Sequence, residues 1–135
     1  MNTKKVIEAL NEGLAHEYTA ILQYLQHYYT ASGIESHNIG GLFEKISIDE
    51  MKHAEKLAKK IVALGGRPTT KVLKIYEGKT LKEMLKQDLE GEIDGIKLYQ
   101  SQLKLVEEDV SIRMMLEDII NTEVEHKEKL ENLLK

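Results

Sequence analysis

The 135-residue chain is 41% hydrophobic and 31% charged, with a net charge of −4, as expected of a folded protein with one compact core. It lacks the clustered Lys and Arg that a phosphate backbone needs, so no nucleic-acid partner is expected. The absence of cysteine excludes disulfides, thiolate metal sites and iron–sulfur clusters. The charged, amphipathic start "MNTKKVIEALNEG" predicts no signal peptide, and no apolar run is long enough to span a bilayer. The expectation is one domain over residues 1–135, cytoplasmic and away from membranes.

Apolar residues recur every three or four positions along most of the chain, the spacing of amphipathic helices. A first helix is predicted from about Thr3 to Ser32, stopped at Gly33, and a second from Ser36 or His37 to Gly65-Gly66. The third starts after Thr80, an N-cap with Glu83 placed for a capping box, and runs to about Glu108. The fourth runs from about Val110 to the C-terminus. Short links inside each pair predict two antiparallel hairpins. Between them lies "GGRPTTKVLKIYEGK", which can extend to about 50 Å, whereas a helix of roughly 28 residues is about 40 Å long. It can therefore run the length of the bundle and start the third helix parallel to the second. The predicted fold is an all-α four-helix bundle: two antiparallel hairpins joined by one long crossover.

Each helix carries an apolar stripe, and each stripe is interrupted near its middle. Glu17 interrupts the first, between Leu14 and Ile21; Glu50 and His53 interrupt the second, between Ile46 and Leu57. Glu92 interrupts the third, between Leu89 and Ile96, and Glu123 with His126 the fourth, between Ile119 and Leu130. The halves repeat: Glu17 precedes Glu50-x-x-His53 by 33 residues, Glu92 precedes Glu123-x-x-His126 by 31, and a tyrosine follows each lone glutamate, at Tyr24 and Tyr99. Related by a pseudo-twofold axis, the hairpins would bring four glutamates and two histidines to one level of the core. Four unpaired buried carboxylates would cost several kcal/mol each, and no Lys or Arg stands beside them on the stripes. Two divalent metals would cancel the four charges. One Glu from each of two helices plus Glu-x-x-His from each of the others is the ligand set of di-iron and di-manganese carboxylate bundles. Glu50 and Glu123 are expected to bridge two ions, with Glu17 and His53 capping one, and Glu92 and His126 the other. Oxygen-rich donors with one imidazole per metal suit iron and manganese alike.

With these residues placed, the sequence resembles the bacterioferritins of the ferritin-like superfamily, over almost the whole chain. The likeness is sharpest in "SIDEMKHAEKL", "DLEGEIDGIK" and "EVEHKEKLE", with "HEYTAILQY" and "RMMLEDI" adding to it. It implies that Glu17, Glu50, His53, Glu92, Glu123 and His126 form a ferroxidase site holding two iron ions. There Fe(II) would be oxidised by oxygen or hydrogen peroxide for iron storage or detoxification, in subunits that assemble into a 24-subunit cage. Tyr24 matches a tyrosine near that site, which either hydrogen-bonds there or supplies an electron; plain packing is the other reading. Met51 aligns with the methionine that ligates haem b across a dimer axis. It lies on a second apolar strip with Ile48, Ala58 and Val62, matched on the first helix by Leu22, Leu25 and Tyr29, which predicts a homodimer through these helices.

Departures from the family are visible. Nine residues follow His126, so the family's extra C-terminal helix and its cage contacts are not expected, and Lys45 replaces an inner-surface histidine, although Asp49 is present. The alternative is a rubrerythrin-like peroxide reductase protecting against oxidative stress without mineral storage. Rubrerythrins carry a further glutamate where this chain has Gly95, and usually a cysteine-rich domain. A helical interaction module or a DNA-protecting shell is disfavoured by the acidic balance. His16, His27 and His37 fall off the stripes or near helix ends and are expected to be solvated.

Overall fold

Helix starts follow side-chain chemistry. Asn2 Oδ1 accepts the Lys5 amide at 3.1 Å, Thr80 Oγ1 the Glu83 amide at 3.1 Å and Asp109 Oδ1 the Ile112 amide at 3.0 Å. These caps open α1 (Thr3–Thr30), α3 (Leu81–Leu103) and α4 (Val110–Leu133), while α2 (Ser36–Ala63) begins without a side-chain cap. Glu83 reaches back to the Lys79 amide at 3.3 Å, one residue short of a strict capping box. Beyond α1 and α2 the chain turns through Gly33 at φ 101° and Gly65 at φ 89°, left-handed conformations that favour glycine. The computed structural model describes residues 1–135, and none of its helices is long and apolar enough to cross a membrane.

The third helix ends at Leu103 rather than near Glu108. Residues 104–109 form tight turns, with the Leu105 amide on the Gln102 carbonyl and the Val106 amide on that of Leu103. Val106 still drops into the core at 2% exposure, so the apolar spacing continues past the end of the helix and misleads a periodicity reading.

α1 packs along α2 and α3 along α4, and the two hairpins meet chiefly through α1 and α3. The apolar core is in two pieces. One gathers Leu10, Leu14, Leu57, Ile61, Leu116 and Ile119; the other gathers Tyr24, Phe43, Ile46, Met84, Leu85 and Leu130. On every helix the interrupting acid lies between the residues that serve the two clusters, so a polar layer divides the hydrophobic interior.

The crossover has no regular structure, and its backbone groups need partners from elsewhere. One ridge of α1 supplies most of them. Asn11 takes the Thr69 amide at 2.8 Å and donates to the Arg67 carbonyl at 3.1 Å. Thr19 takes the Leu73 amide at 2.9 Å, and Gln23 bonds both the amide and the carbonyl of Tyr76, at 2.7 and 2.8 Å. Gln87 of α3 adds a bond to the Glu77 carbonyl at 3.0 Å. The crossover is thus a pinned strap along the seam between α1 and α3.

Candidate metal centre

The i, i+3 spacing of Glu50 and His53, and of Glu123 and His126, places each pair on one helix face. Glu17 and Glu92 come to the same level from α1 and α3. All six residues are at most 5% exposed. Their donor atoms form two overlapping groups, Glu17–Glu50–His53–Glu123 and Glu50–Glu92–Glu123–His126, with all donors of a group within 4.8 Å of one another. Glu50 and Glu123 belong to both, Glu17 and His53 to the first only, and Glu92 and His126 to the second only. His53 Nδ1 is 3.1 Å from Glu50, 3.2 Å from Glu123 and 3.5 Å from Glu17. His126 Nδ1 is 3.4 Å from Glu92 and 3.9 Å from both Glu50 and Glu123.

Most of these atoms have no hydrogen-bond partner: both oxygens of Glu50 and of Glu123, one each of Glu17 and Glu92, and Nδ1 of both histidines. Burial pushes the Glu50 and Glu123 carboxyls well up, and the neighbouring carboxylates push them further. Burial pulls the His53 imidazole down, but the adjoining Glu123 and Glu17 carboxylates outweigh it and lift the ring to about 9. His126 is raised in the same way, against burial, by Glu92 and Asp49. Burial pushes Glu92 up, but His126 above all outweighs it and holds the carboxyl below its ordinary value. Without cations Glu50, Glu123, His53 and His126 therefore bind protons more tightly than ordinary glutamates and histidines do. Orphaned hard donors around a shared centre fit two divalent cations.

The surrounding residues aim the ligands. The Tyr24 hydroxyl donates to Glu92 Oε1 at 2.7 Å, so this tyrosine does more than pack. Tyr99 points its hydroxyl at Glu17 Oε2 and lies 3.1 Å from the Gly13 carbonyl. Each tyrosine thus holds a glutamate of the opposite hairpin. Burial pushes both phenols well up, so both remain proton donors. Asp49, facing His126 Nε2 at 2.9 Å, fixes the ring with Nδ1 toward the carboxylates. This role for Asp49 was not read from the sequence, although its place one residue before Glu50 is suggestive.

Two expectations need correcting. His27 is not solvated: it is fully buried, with Nδ1 3.0 Å from Asp88 Oδ2 and Nε2 3.0 Å from Gln87 Oε1. Burial pushes its partner Asp88 up to about 6, against the pull of the imidazole. The signal was available, because Asp88 precedes Glu92 by one helical turn and faces the same way. His16 is also only partly solvated, its ring edge-on to Tyr99 with centroids 6.2 Å apart. His37 is exposed, as expected. A Cβ on Gly95 would come within 2.5 Å of His16 Nε2, so the place of the further rubrerythrin glutamate is filled by an imidazole. Met51 is 42% exposed on the outer face of α2, alongside exposed Leu22, Ile48 and Val62.

The sequence model of the ferritin-like domain family matches residues 7–135. A bacterioferritin of Desulfovibrio desulfuricans is 36% identical over 132 residues, covering 96% of this chain and 74% of that protein. One from Rhodobacter capsulatus is also 36% identical, covering 94% of this chain and 81% of its own length. Among solved structures, one described as ferritin-like, di-iron-carboxylate proteins of Bacillus anthracis strain Ames superposes with a TM-score of 0.95 at 38% identity, covering 98% of this chain and 97% of that one. Rhodobacter capsulatus bacterioferritin, described with a metal-free dinuclear site and a haem iron, superposes with a TM-score of 0.88 at 33% identity, covering 97% and 84%. Sequence and backbone agree along nearly all of the chain, which belongs to the ferritin-like domain family, among the bacterioferritins.

Proposed function

We propose that this protein binds Fe(II) as a pair in the polar layer and oxidises it with oxygen or hydrogen peroxide, for iron storage and detoxification in the cytoplasm. The observation that carries this reading is the set of buried, unpartnered oxygens and nitrogens arranged as two groups sharing Glu50 and Glu123. Glu50 and Glu123 span both iron positions. Glu17 and His53 complete one, and Glu92 and His126 the other. Manganese would be held by the same donors.

Two Fe(II) ions side by side supply two electrons, which with two protons reduce oxygen to hydrogen peroxide or hydrogen peroxide to water. The chain's part is to bind, aim and desolvate. Glu50 and Glu123 give up protons as iron enters, Asp49 fixes the His126 tautomer, and the apolar clusters above and below exclude bulk water. Tyr24, whose hydroxyl donates to Glu92, stands where a phenol can steady that ligand or supply an electron to the pair. A peroxide reductase without storage is disfavoured by the imidazole over Gly95.

The exposed strip around Met51 would be covered by a second copy, and Met51, whose thioether is a soft iron ligand, is the residue that would hold a haem there. A Soret band in the purified protein, lost in Met51→Leu, checks that assignment. The central test is aerobic Fe(II) addition to metal-free protein, followed by iron analysis of size-separated material. Rapid oxidation lost in Glu50→Ala, with many irons per chain in a large particle, is expected. Wild-type rates in Glu50→Ala overturn the site. About two irons per chain in a small oligomer would keep the site and remove storage.

A further inference from the structure

Beside the polar layer the fold buries a titratable pair that has no part in the ligand set. His27 is 0% exposed and Asp88 1%. The imidazole Nδ1 lies 2.9 and 3.0 Å from the two Asp88 oxygens, and the ring packs tilted against Phe43 with centroids 5.5 Å apart. The other ring nitrogen, Nε2, has two neighbours of opposite kind: the Gln23 amide nitrogen at 2.9 Å and the Gln87 amide oxygen at 3.0 Å. Neither amide is free to turn over. Gln23 Oε1 accepts the Tyr76 amide while its Nε2 donates to the Tyr76 carbonyl, and Gln87 Nε2 donates to the Glu77 carbonyl. Gln23 therefore offers the ring an N–H, and Gln87 offers it an oxygen.

One nitrogen cannot serve both. Without a hydrogen, Nε2 accepts from Gln23, and the ring's one hydrogen sits on Nδ1 against the carboxylate. With a hydrogen, Nε2 donates to Gln87 and meets the Gln23 N–H head-on. A proton added to the pair puts a hydrogen on Nε2 whichever group holds the charge. The result is either an imidazolium facing a carboxylate, or a carboxylic acid donating to Nδ1 of a ring whose own hydrogen is on Nε2. Gln23 avoids the clash only by turning away, and that gives up both of its bonds to Tyr76.

We propose that the His27–Asp88 pair is a proton-operated latch on the strap: Gln23 holds Tyr76 until the pair gains a proton, then lets it go. Gln87 still holds the strap at Glu77. Tyr76 lines a cavity of about 470 Å³ whose wall also includes Asp88, Glu50, Glu92 and Glu123, so a proton can reach the pair and acid loosens the cover beside the polar layer. The latch rests on hydrogen bonds alone; its bearing on metal rests on reading that layer as a metal centre. Burial pushes Asp88 up to about 6, against the pull of His27, which brings the pair's titration near physiological pH. The other titratable groups around it are His16 and Tyr24 on α1, Glu50 on α2, and Glu90, Glu92 and Asp94 on α3. Glu123 on α4 and Lys74, Tyr76 and Glu77 on the strap complete them. Of these, Glu92 pushes Asp88 further up.

The experiment is amide hydrogen exchange in the metal-free full chain, read residue by residue along the strap and corrected for intrinsic exchange rates. Protection of the Tyr76 amide is expected to fall about tenfold between about pH 7.5 and about pH 5.5. The Thr69 and Leu73 amides, pinned by Asn11 and Thr19, which do not titrate, are expected to keep theirs. Asp88→Asn removes the carboxylate that draws the proton in and is expected to hold Tyr76 protection across the range. Gln23→Ala is expected to leave Tyr76 unprotected at both ends of it. Tyr76 protection that does not change with pH in the wild-type chain overturns the latch, and so does an equal loss at Thr69 and Leu73. These wild-type results decide even if Asp88→Asn fails to fold. A wild-type loss of protection in folded Asp88→Asn removes the pair as its cause and overturns the proposal too. No metal enters the experiment, so the reading of the polar layer stands or falls separately.

Discussion

The two halves of the polar layer carry the same ligand types but are backed differently. Behind His126 stands Asp49; at the corresponding place behind His53 the chain has Thr122, whose hydroxyl is spent on the Asp118 carbonyl. Beside Glu92 lies the buried Asp88–His27 pair, where the repeat puts Gly13 and Gln102 beside Glu17. A cavity between α1 and α3 is lined by Glu92 and the two shared glutamates, but not by His53, His126 or Glu17. An internal repeat can therefore duplicate a ligand set while its surroundings diverge. The Glu92–His126 half is the one oriented by Asp49, and the Glu17–His53 half is the one held by Tyr99.

Removing a shared ligand breaks both halves, whereas removing a capping ligand breaks one. Glu123→Ala is expected to bind no pair of Co(II) ions, while Glu17→Ala keeps one ion per chain; calorimetric titration counts them. Equal loss in both variants would mean that the halves do not act as separate positions.

Protonation gives the next largest effect, in the metal-free protein. A histidine whose folded pKa is raised contributes stability that is fully present below its ordinary 6.5 and is lost as pH rises through about 9 for His53. His126 and the raised carboxyls of Glu50 and Glu123 act in the same direction, since the folded state binds their protons more tightly. The melting temperature of metal-free protein should fall between pH 6.5 and 9, and the stabilisation given by added Co(II) should grow over the same range. A metal-free protein that becomes more stable with rising pH would contradict the hold of the neighbouring carboxylates on the two imidazoles.

A smaller effect sharpens the asymmetry directly. Asp49→Asn is expected to weaken one of the two Co(II) binding steps by about 10–100-fold and leave the other unchanged. Thr122→Val should change neither. Smallest are the tyrosines. Tyr99→Phe leaves the buried Glu17 Oε2 without its hydroxyl partner and should cost the metal-free protein about 1–3 kcal/mol, with Tyr24→Phe at the lower end; chemical denaturation measures both.

Most helix ends, the strap's reach and the gathering of six acids and imidazoles at one level were legible because each rests on a period or a spacing that survives in one dimension. Glu17, Glu50, Glu92 and Glu123 stand out only against an apolar stripe, and the stripe is what the fold buries. His27 and Asp88 were not legible as a pair, since each lies at the margin of its stripe and only the packing of α1 on α3 brings them together. The pins that hold the strap were hidden for a related reason: Asn11, Thr19 and Gln23 read as ordinary polar surface until the crossover lies over them. Turn chemistry explains the early end of α3, where Val106 keeps the apolar spacing without the helix.

The most direct measurement is anomalous X-ray scattering at the iron edge from crystals soaked anaerobically in Fe(II). Two iron peaks are expected in the polar layer, both within bonding reach of Glu50 and Glu123, one next to His53 Nδ1 and the other next to His126 Nδ1. A single peak, or iron bound only outside this layer, would contradict the dinuclear centre.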